Sequence, residues 1–253
     1  RGDLAMQMDA ASQAEGGLLR AEDLSSHTVE WVDPMSINVG EATLHELPPN
    51  GQGIAALIAL KILQSTETDL SDCDDPRTVH MQIETMKRAF SDVHAFVGDP
   101  DTVGDCVDLL DEHRIAQHAN ALTTVATSVD PEVLPRQSST VYLATGDRSG
   151  KMVSYIQSNF EGFGSGIVIP NTGIAMQNRG IGFSLDPSHP NCIGPSKRPY
   201  HTIIPAFIEQ SGGANVAFGV MGGHMQPQGH VQVVCRMIFA GQNPQAALDA
   251  PRW

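Results

Sequence analysis

Thr140 opens a β-prone run, Thr140 to Gly146, which Asp147-Arg148-Ser149-Gly150 turns back into a second run, Lys151 to Gln157. A threonine hydroxyl is a poor nucleophile, and a free α-amine on the same residue activates it without a histidine. Such activation requires scission of the Ser139–Thr140 bond, which makes Thr140 an N-terminus. It also requires backbone N–H donors for an oxyanion. Gly222-Gly223, between a strand-like run and a helix start, is a glycine turn of that kind. Taken singly, a β-branched strand residue and a tight strand-to-helix turn are the plainer readings. Spacing alone favours those plainer readings.

Other conspicuous residues carry less. Gly162-Phe163-Gly164-Ser165-Gly166 resembles a phosphate loop, but strand-like apolar residues follow it where a helix is needed. Ser165 is also one position off a GxSxG elbow. His201, His224 and His230 have neither HExxH spacing nor paired carboxylates, so capping or core roles are expected and no metal site is assigned. The four cysteines are far apart and form no CxxC pair, which points to buried free thiols.

The elements that must position Thr140 and the glycine pair are legible in outline. Residues 1–50 have little periodicity: a turn at Gly16-Gly17 leads into a short helix, and Trp31-Val32-Asp33-Pro34 reads as extended. Ala42 to Leu47 alternates like a strand. It meets a rigid turn, Pro48-Pro49-Asn50-Gly51-Gln52-Gly53, that opens onto an apolar helix from Ile54 to Leu63. Val79, Ile83, Met86, Phe90, Val93 and Val97 mark an amphipathic helix over 78–97. Residues 101–135 are acidic and helical in places, with an exposed linker from Val129 to Pro135. After Pro135, Thr202 to Ile208 and Asn215 to Met221 predict a second hairpin. A helix with Val231, Val234 and Ile238 on one side and a last short helix from Asn243-Pro244 follow.

At 253 residues the chain is long enough for one large domain or two small ones. Its 41% hydrophobic and 17% charged content is ordinary for a soluble globular protein. The 29 acidic and 15 basic residues leave a net charge of -14, which argues against nucleic acid or anionic membrane as a partner. No signal peptide or long apolar run is visible, and a leader upstream of Arg1 is compatible with a start that is not methionine. The compartment therefore stays open between cytoplasm and, with such a leader, export.

Leu47-Pro48-Pro49-Asn50-Gly51-Gln52-Gly53-Ile54-Ala55-Ala56-Leu57, the Thr140 hairpin, Gly164-Ser165-Gly166-Ile167, Lys197-Arg198-Pro199 and Met221-Gly222-Gly223 occur in one order over nearly the whole chain. Together they resemble the γ-glutamyltransferase (γ-glutamyltranspeptidase) family. The resemblance implies an α+β fold, the four-layer αββα sandwich of N-terminal nucleophile hydrolases, made as a precursor that cleaves itself into a large and a small subunit. By position, the family's nucleophile falls on Thr140, supported by its aspartate at Asp147. Its supporting hydroxyl falls on Ser158, its oxyanion glycines on Gly222 and Gly223, and its serine pair on His201 and Thr202.

Three departures shape the expected chemistry. Phe160 stands where typical transpeptidases carry an asparagine. Arg179 and Gly182 stand where they carry the glutamine and aspartate that hold an α-amino group. Loss of the aspartate removes a counter-charge for an ammonium, and Arg179 favours a carboxylate or carbonyl instead. The sequence therefore looks closer to the acylase-like branch of the family.

The resemblance also implies an incomplete copy. Residues 1–139 would be the C-terminal part of the large-subunit region and 140–253 the N-terminal part of the small-subunit region, together one domain. The expected partners are a small amide or peptide substrate, the pairing of the two subunits and a possible homo-oligomer, with no metal or organic cofactor. The rival expectation is an uncleaved, non-catalytic binding or assembly module.

Overall fold

α3 (Gly53–Gln64) is buried at every position except Lys61 and Gln64, so it is a core helix with no solvent face. Lys61 leaves the core by donating from Nζ to the Leu110 carbonyl at 2.8 Å. The computed structural model in which this helix is central describes residues 1–104, 106–128 and 140–253. The expected linker from Val129 to Pro135, and Ser139, lie outside the described residues.

Before α3 come α1 (Asp3–Ala14), α2 (Ala21–Ser26), β1 (Met35–Val39) and β2 (Ala42–Glu46). After it come α4 (Pro76–Phe96), α5 (Pro100–Val103) and α6 (Glu112–Asn120). The second half carries β3 (Thr140–Gly146), β4 (Met152–Ser158), β5 (Ala206–Gln210), β6 (Val216–Phe218), α7 (Gln226–Val234) and α8 (Pro244–Asp249).

A four-stranded antiparallel sheet runs β1-β2-β5-β6, and β3 and β4 form a separate two-stranded sheet. Two strands of the larger sheet therefore come from each side of Thr140. Buried Val39, Leu44 and Ile208 from its strands pack with α3, α4 and α7 in one core. The mixed class with antiparallel sheets and a helical layer is the one the sequence implies. Among the described residues, the second sheet is the two-stranded β3–β4 ribbon.

Several expectations are adjusted. Trp31 lies in no strand and is 98% exposed. α1 buries only Ala5, so no apolar stripe announces it in the sequence. α4 buries Met86 and Val93 as expected, yet it also buries Thr78, Gln82, Glu84, Thr85 and Asp92, while Val79, Ile83 and Phe90 are only half-buried. Partners from later in the chain account for the burial of Asp92 and Glu84. Arg114 grips Asp92 with two bonds of 2.7 and 2.6 Å, and Thr127 and Lys87 bind Glu84. The second hairpin forms with shorter strands than the sequence suggests.

The β3–β4 ribbon is fastened to the end of β6. Ser154 Oγ donates to the Phe218 carbonyl at 3.2 Å, and Tyr142 lies over Gly219 so closely that a Cβ there would overlap its ring. Gly219→Ala is accordingly expected to destabilise the protein by about 1–3 kcal/mol through overpacking. A lowered thermal midpoint in the full-length protein, rescued by Tyr142→Ala, is the measurement that checks it.

Candidate active site

Thr140 sits at the first position of β3, and the ribbon's register places it directly opposite Ser158, the last residue of β4. Its Oγ1 donates to Ser158 Oγ at 3.1 Å. The same Ser158 oxygen accepts the Phe160 N–H at 2.8 Å, so the turn that leaves β4 fixes the serine rotamer. Asp147 holds the far end of the ribbon: its Oδ1 accepts from Ser149 N at 2.8 Å and Ser149 Oγ at 2.6 Å. The hairpin chemistry that the sequence suggested is therefore what presents Thr140.

Phe160 joins this strand end to the next group. The Arg179 guanidinium lies 5.0 Å from the centre of the Phe160 ring. Such a stacked cation gains from the ring face when water is excluded. Arg179 is 6% exposed, and its Nη1 donates to Thr202 Oγ1 at 2.7 Å. Its Nη2 has no hydrogen-bond partner, and no carboxylate pairs with it among the described residues. Burial pushes its pKa down to about 10, which still leaves it charged at neutral pH. His201, next to Thr202, is pushed down to about 3 by burial and then by the Arg179 charge. It is therefore neutral and adds no second cation.

Gly222 (φ 141°) and Gly223 (φ 61°) both adopt positive φ, which only glycine tolerates in such succession. The Gly222 carbonyl accepts Met225 N at 3.2 Å as a short 3-10 turn over Gly223–Met225 feeds α7. Of the expected apolar side of this helix, Val231 and Val234 are buried, while Ile238 is half-buried in a wide π turn that continues it. The Gly223 carbonyl accepts from Gln52 Nε2 at 2.8 Å, and the same nitrogen donates to the Thr202 carbonyl at 2.6 Å. His224 stacks on Tyr200 with ring centres 5.8 Å apart and meets Phe160 edge-on at 6.2 Å. The contacts thus close a circuit: Thr140, Ser158, Phe160, Arg179, Thr202, Gln52, Gly223, His224 and back to Phe160.

Against the Phe160, Arg179, Thr202 and His224 side of this circuit lies a cavity of about 370 Å³, walled also by Tyr200; Thr140, Ser158, Gly222 and Gly223 are not among its lining residues. Gly182 also lines it, so the position where the family's aspartate was expected faces the cavity without a charge. No Asp or Glu is among the lining residues. Of the site residues expected from sequence, Thr140 and Ser158 are joined directly, Arg179 and Thr202 directly, and Gly223 and Thr202 through Gln52. His201 lies behind this wall, in a backbone bridge to Gly51.

Gln52 is the residue sequence reasoning passed over. Its signal was a lone amide between two glycines at the head of an otherwise apolar helix. Elsewhere, His230 is a core histidine, bonded to the buried Glu46 carboxylate at 2.6 Å. Burial raises the Glu46 pKa, against the pull of His230. The four cysteines are free thiols, and Cys73 and Cys235 are buried. Among the described residues, no group of three or more His, Cys, Asp or Glu is placed to hold a metal ion. No helix of the described residues is long and apolar enough to cross a membrane.

Comparison with known proteins places this geometry in context. The family model described as Gamma-glutamyltranspeptidase matches residues 1–253. The chain is 34% identical, over its full length, to the glutathione hydrolase-like YwrD proenzyme of Bacillus subtilis and covers 48% of that protein. It is 35% identical to the oxamate amidohydrolase proenzyme of Klebsiella pneumoniae, again over all of this chain and 48% of the relative. Cephalosporin acylase from Bacillus halodurans, a solved structure, superposes on the whole chain with a TM-score of 0.92 at 48% identity, the match covering 46% of that chain. The chain therefore spans about half the length of the curated relatives it matches.

Proposed function

The chain belongs to the γ-glutamyltranspeptidase family, and from that premise we propose an autoprocessing amidohydrolase or acyltransferase with Thr140 as its nucleophile. The single observation that carries the reading is the Thr140 hydroxyl at a strand head, donating to Ser158 at 3.1 Å. In the proposed reaction the Thr140 hydroxyl first attacks the Ser139 carbonyl, and water hydrolyses the resulting ester to leave a Ser139 carboxylate and a free Thr140 amine. That amine, directly or through water, takes the hydroxyl proton as Oγ1 attacks an amide carbonyl. Ser158 orients the hydroxyl, and the Gly222 and Gly223 N–H groups receive the oxyanion. The leaving amine departs with the proton. Water or an acceptor amine then attacks the acyl-enzyme, giving hydrolysis or transfer.

Residues 1–139 and 140–253 are proposed as the two subunit regions of one domain. This is supported by the larger sheet, which takes β1 and β2 from one region and β5 and β6 from the other. The word proenzyme in the names of both curated relatives supports processing here. The substrate is proposed to be an amide whose acyl part carries a carboxylate, held by Arg179 and Thr202 with His201 behind them. An unpaired buried cation beside a wall without acidic residues supports this choice. Oxamate, named for the Klebsiella relative, is such a molecule.

Intact-mass measurement and N-terminal sequencing of the full-length protein test the reading. Two fragments, the smaller beginning at Thr140, are expected. One stable uncut chain would sink the enzyme and leave the binding-module alternative.

A further inference from the structure

We propose that Gln52 is a positioning residue that sets the orientation of the Gly222–Gly223 turn; this rests on the catalytic reading above and adds a role to a residue outside it. The Gln52 side chain is fully buried, and both ends of its amide are engaged. Nε2 donates to the Gly223 carbonyl at 2.8 Å and to the Thr202 carbonyl at 2.6 Å, while Oε1 accepts the Tyr200 hydroxyl at 2.9 Å. The Gln52 main chain is itself anchored, its N–H donating to the His201 carbonyl at 2.9 Å. One amide thus ties the glycine turn to the segment that carries the proposed substrate-binding threonine.

The consequence follows from peptide planarity. In a trans peptide the C=O and N–H point in opposite directions. With the Gly223 carbonyl drawn to Gln52, the His224 N–H of that peptide faces the other way. With the Gly222 carbonyl drawn to Met225 N, the Gly223 N–H is turned away from the helix. Two successive glycines have the softest torsions in any turn, so a donor behind them is needed to hold one orientation. Gln52 is that donor for the second peptide, whose N–H is that of His224, and by fixing it restrains the Gly223 torsions that set the neighbouring Gly223 N–H. Holding N–H groups ready before charge develops is where oxyanion stabilisation gets its effect.

The test uses the full-length, cleaved protein and a chromogenic acyl anilide bearing a terminal carboxylate, with rates normalised to the fraction showing a free Thr140 N-terminus. Gln52→Met keeps the volume and removes both donors; Gln52→Glu sets carboxylate oxygens against the two carbonyls. Both are expected to lower kcat by about 10–10²-fold, up to the scale of losing one oxyanion donor, with KM changed by less than about threefold. A kcat within about threefold of the parent, or a loss carried by KM, overturns the proposal. Gln52→Asn keeps the amide but withdraws it by one methylene, and it serves if the other two do not accumulate folded. A kcat loss of about tenfold is expected there, and one below about threefold counts against the proposal. Failure of the catalytic reading is separate: it shows as an active Thr140→Ala variant or as a parent protein without activity.

Discussion

Thr140→Ala is expected to leave the full-length protein as one uncut chain with no measurable amidase activity. Removing a nucleophile from a site of this kind costs on the order of 10⁴–10⁶ in kcat, because the remaining groups only bind and polarise. Here the loss is doubled in kind, since the same hydroxyl is proposed to attack its own preceding peptide bond and then the substrate. The substitution should be mild for the fold. Thr140 is half-buried at the end of a two-stranded ribbon, and among the side-chain bonds it gives up is the 3.1 Å one to Ser158. A loss of roughly 1 kcal/mol is the scale for one such bond. Thr140→Ser keeps the hydroxyl and the amine and should keep both steps at reduced rate. Turnover of γ-glutamyl and acyl amides by the alanine variant would show that the nucleophile lies elsewhere.

The parts of the site that local chemistry builds were legible before the structure. Two β-prone runs and an Asp-Arg-Ser-Gly turn are enough to specify the Thr140 hairpin. The glycine pair before α7 and the apolar run of α3 are similarly self-announcing. What could not be read were groups whose partners are remote in sequence. Gln52 meets Thr202 and Gly223 across 150 and 171 residues, so its neighbourhood shows only a polar residue before a greasy helix. Asp92 and Glu84 spoil the apolar face of α4 for the same reason, their partners being Arg114 and Thr127. In the sequence Phe160 stands out only as a replaced asparagine. Its ring proves to be the surface under Arg179 and beside His224, a role that depends on packing and leaves no periodic trace.

Arg179→Met should separate substrates by charge. The parent site holds a guanidinium that is charged at neutral pH, half-satisfied by Thr202 and buried against Phe160. A carboxylate reaching Nη2 would convert an uncompensated buried cation into a pair, and a hydrogen bond to such a charge contributes about 1.5–3 kcal/mol or more. Loss of the arginine is therefore expected to lower kcat/KM for carboxylate-bearing acyl amides by roughly 10–10³-fold, mostly through KM. Neutral acyl amides of the same length should change by less than about threefold, since they gain little from the charge. The stability effect should run the other way. Methionine fills similar volume without the desolvation cost of an unpaired cation, so the thermal midpoint of the ligand-free protein is expected to rise. Equal losses on charged and neutral substrates, or a midpoint that falls sharply, would make Arg179 a structural brace between Phe160 and Thr202 and leave the carboxylate without its binding group.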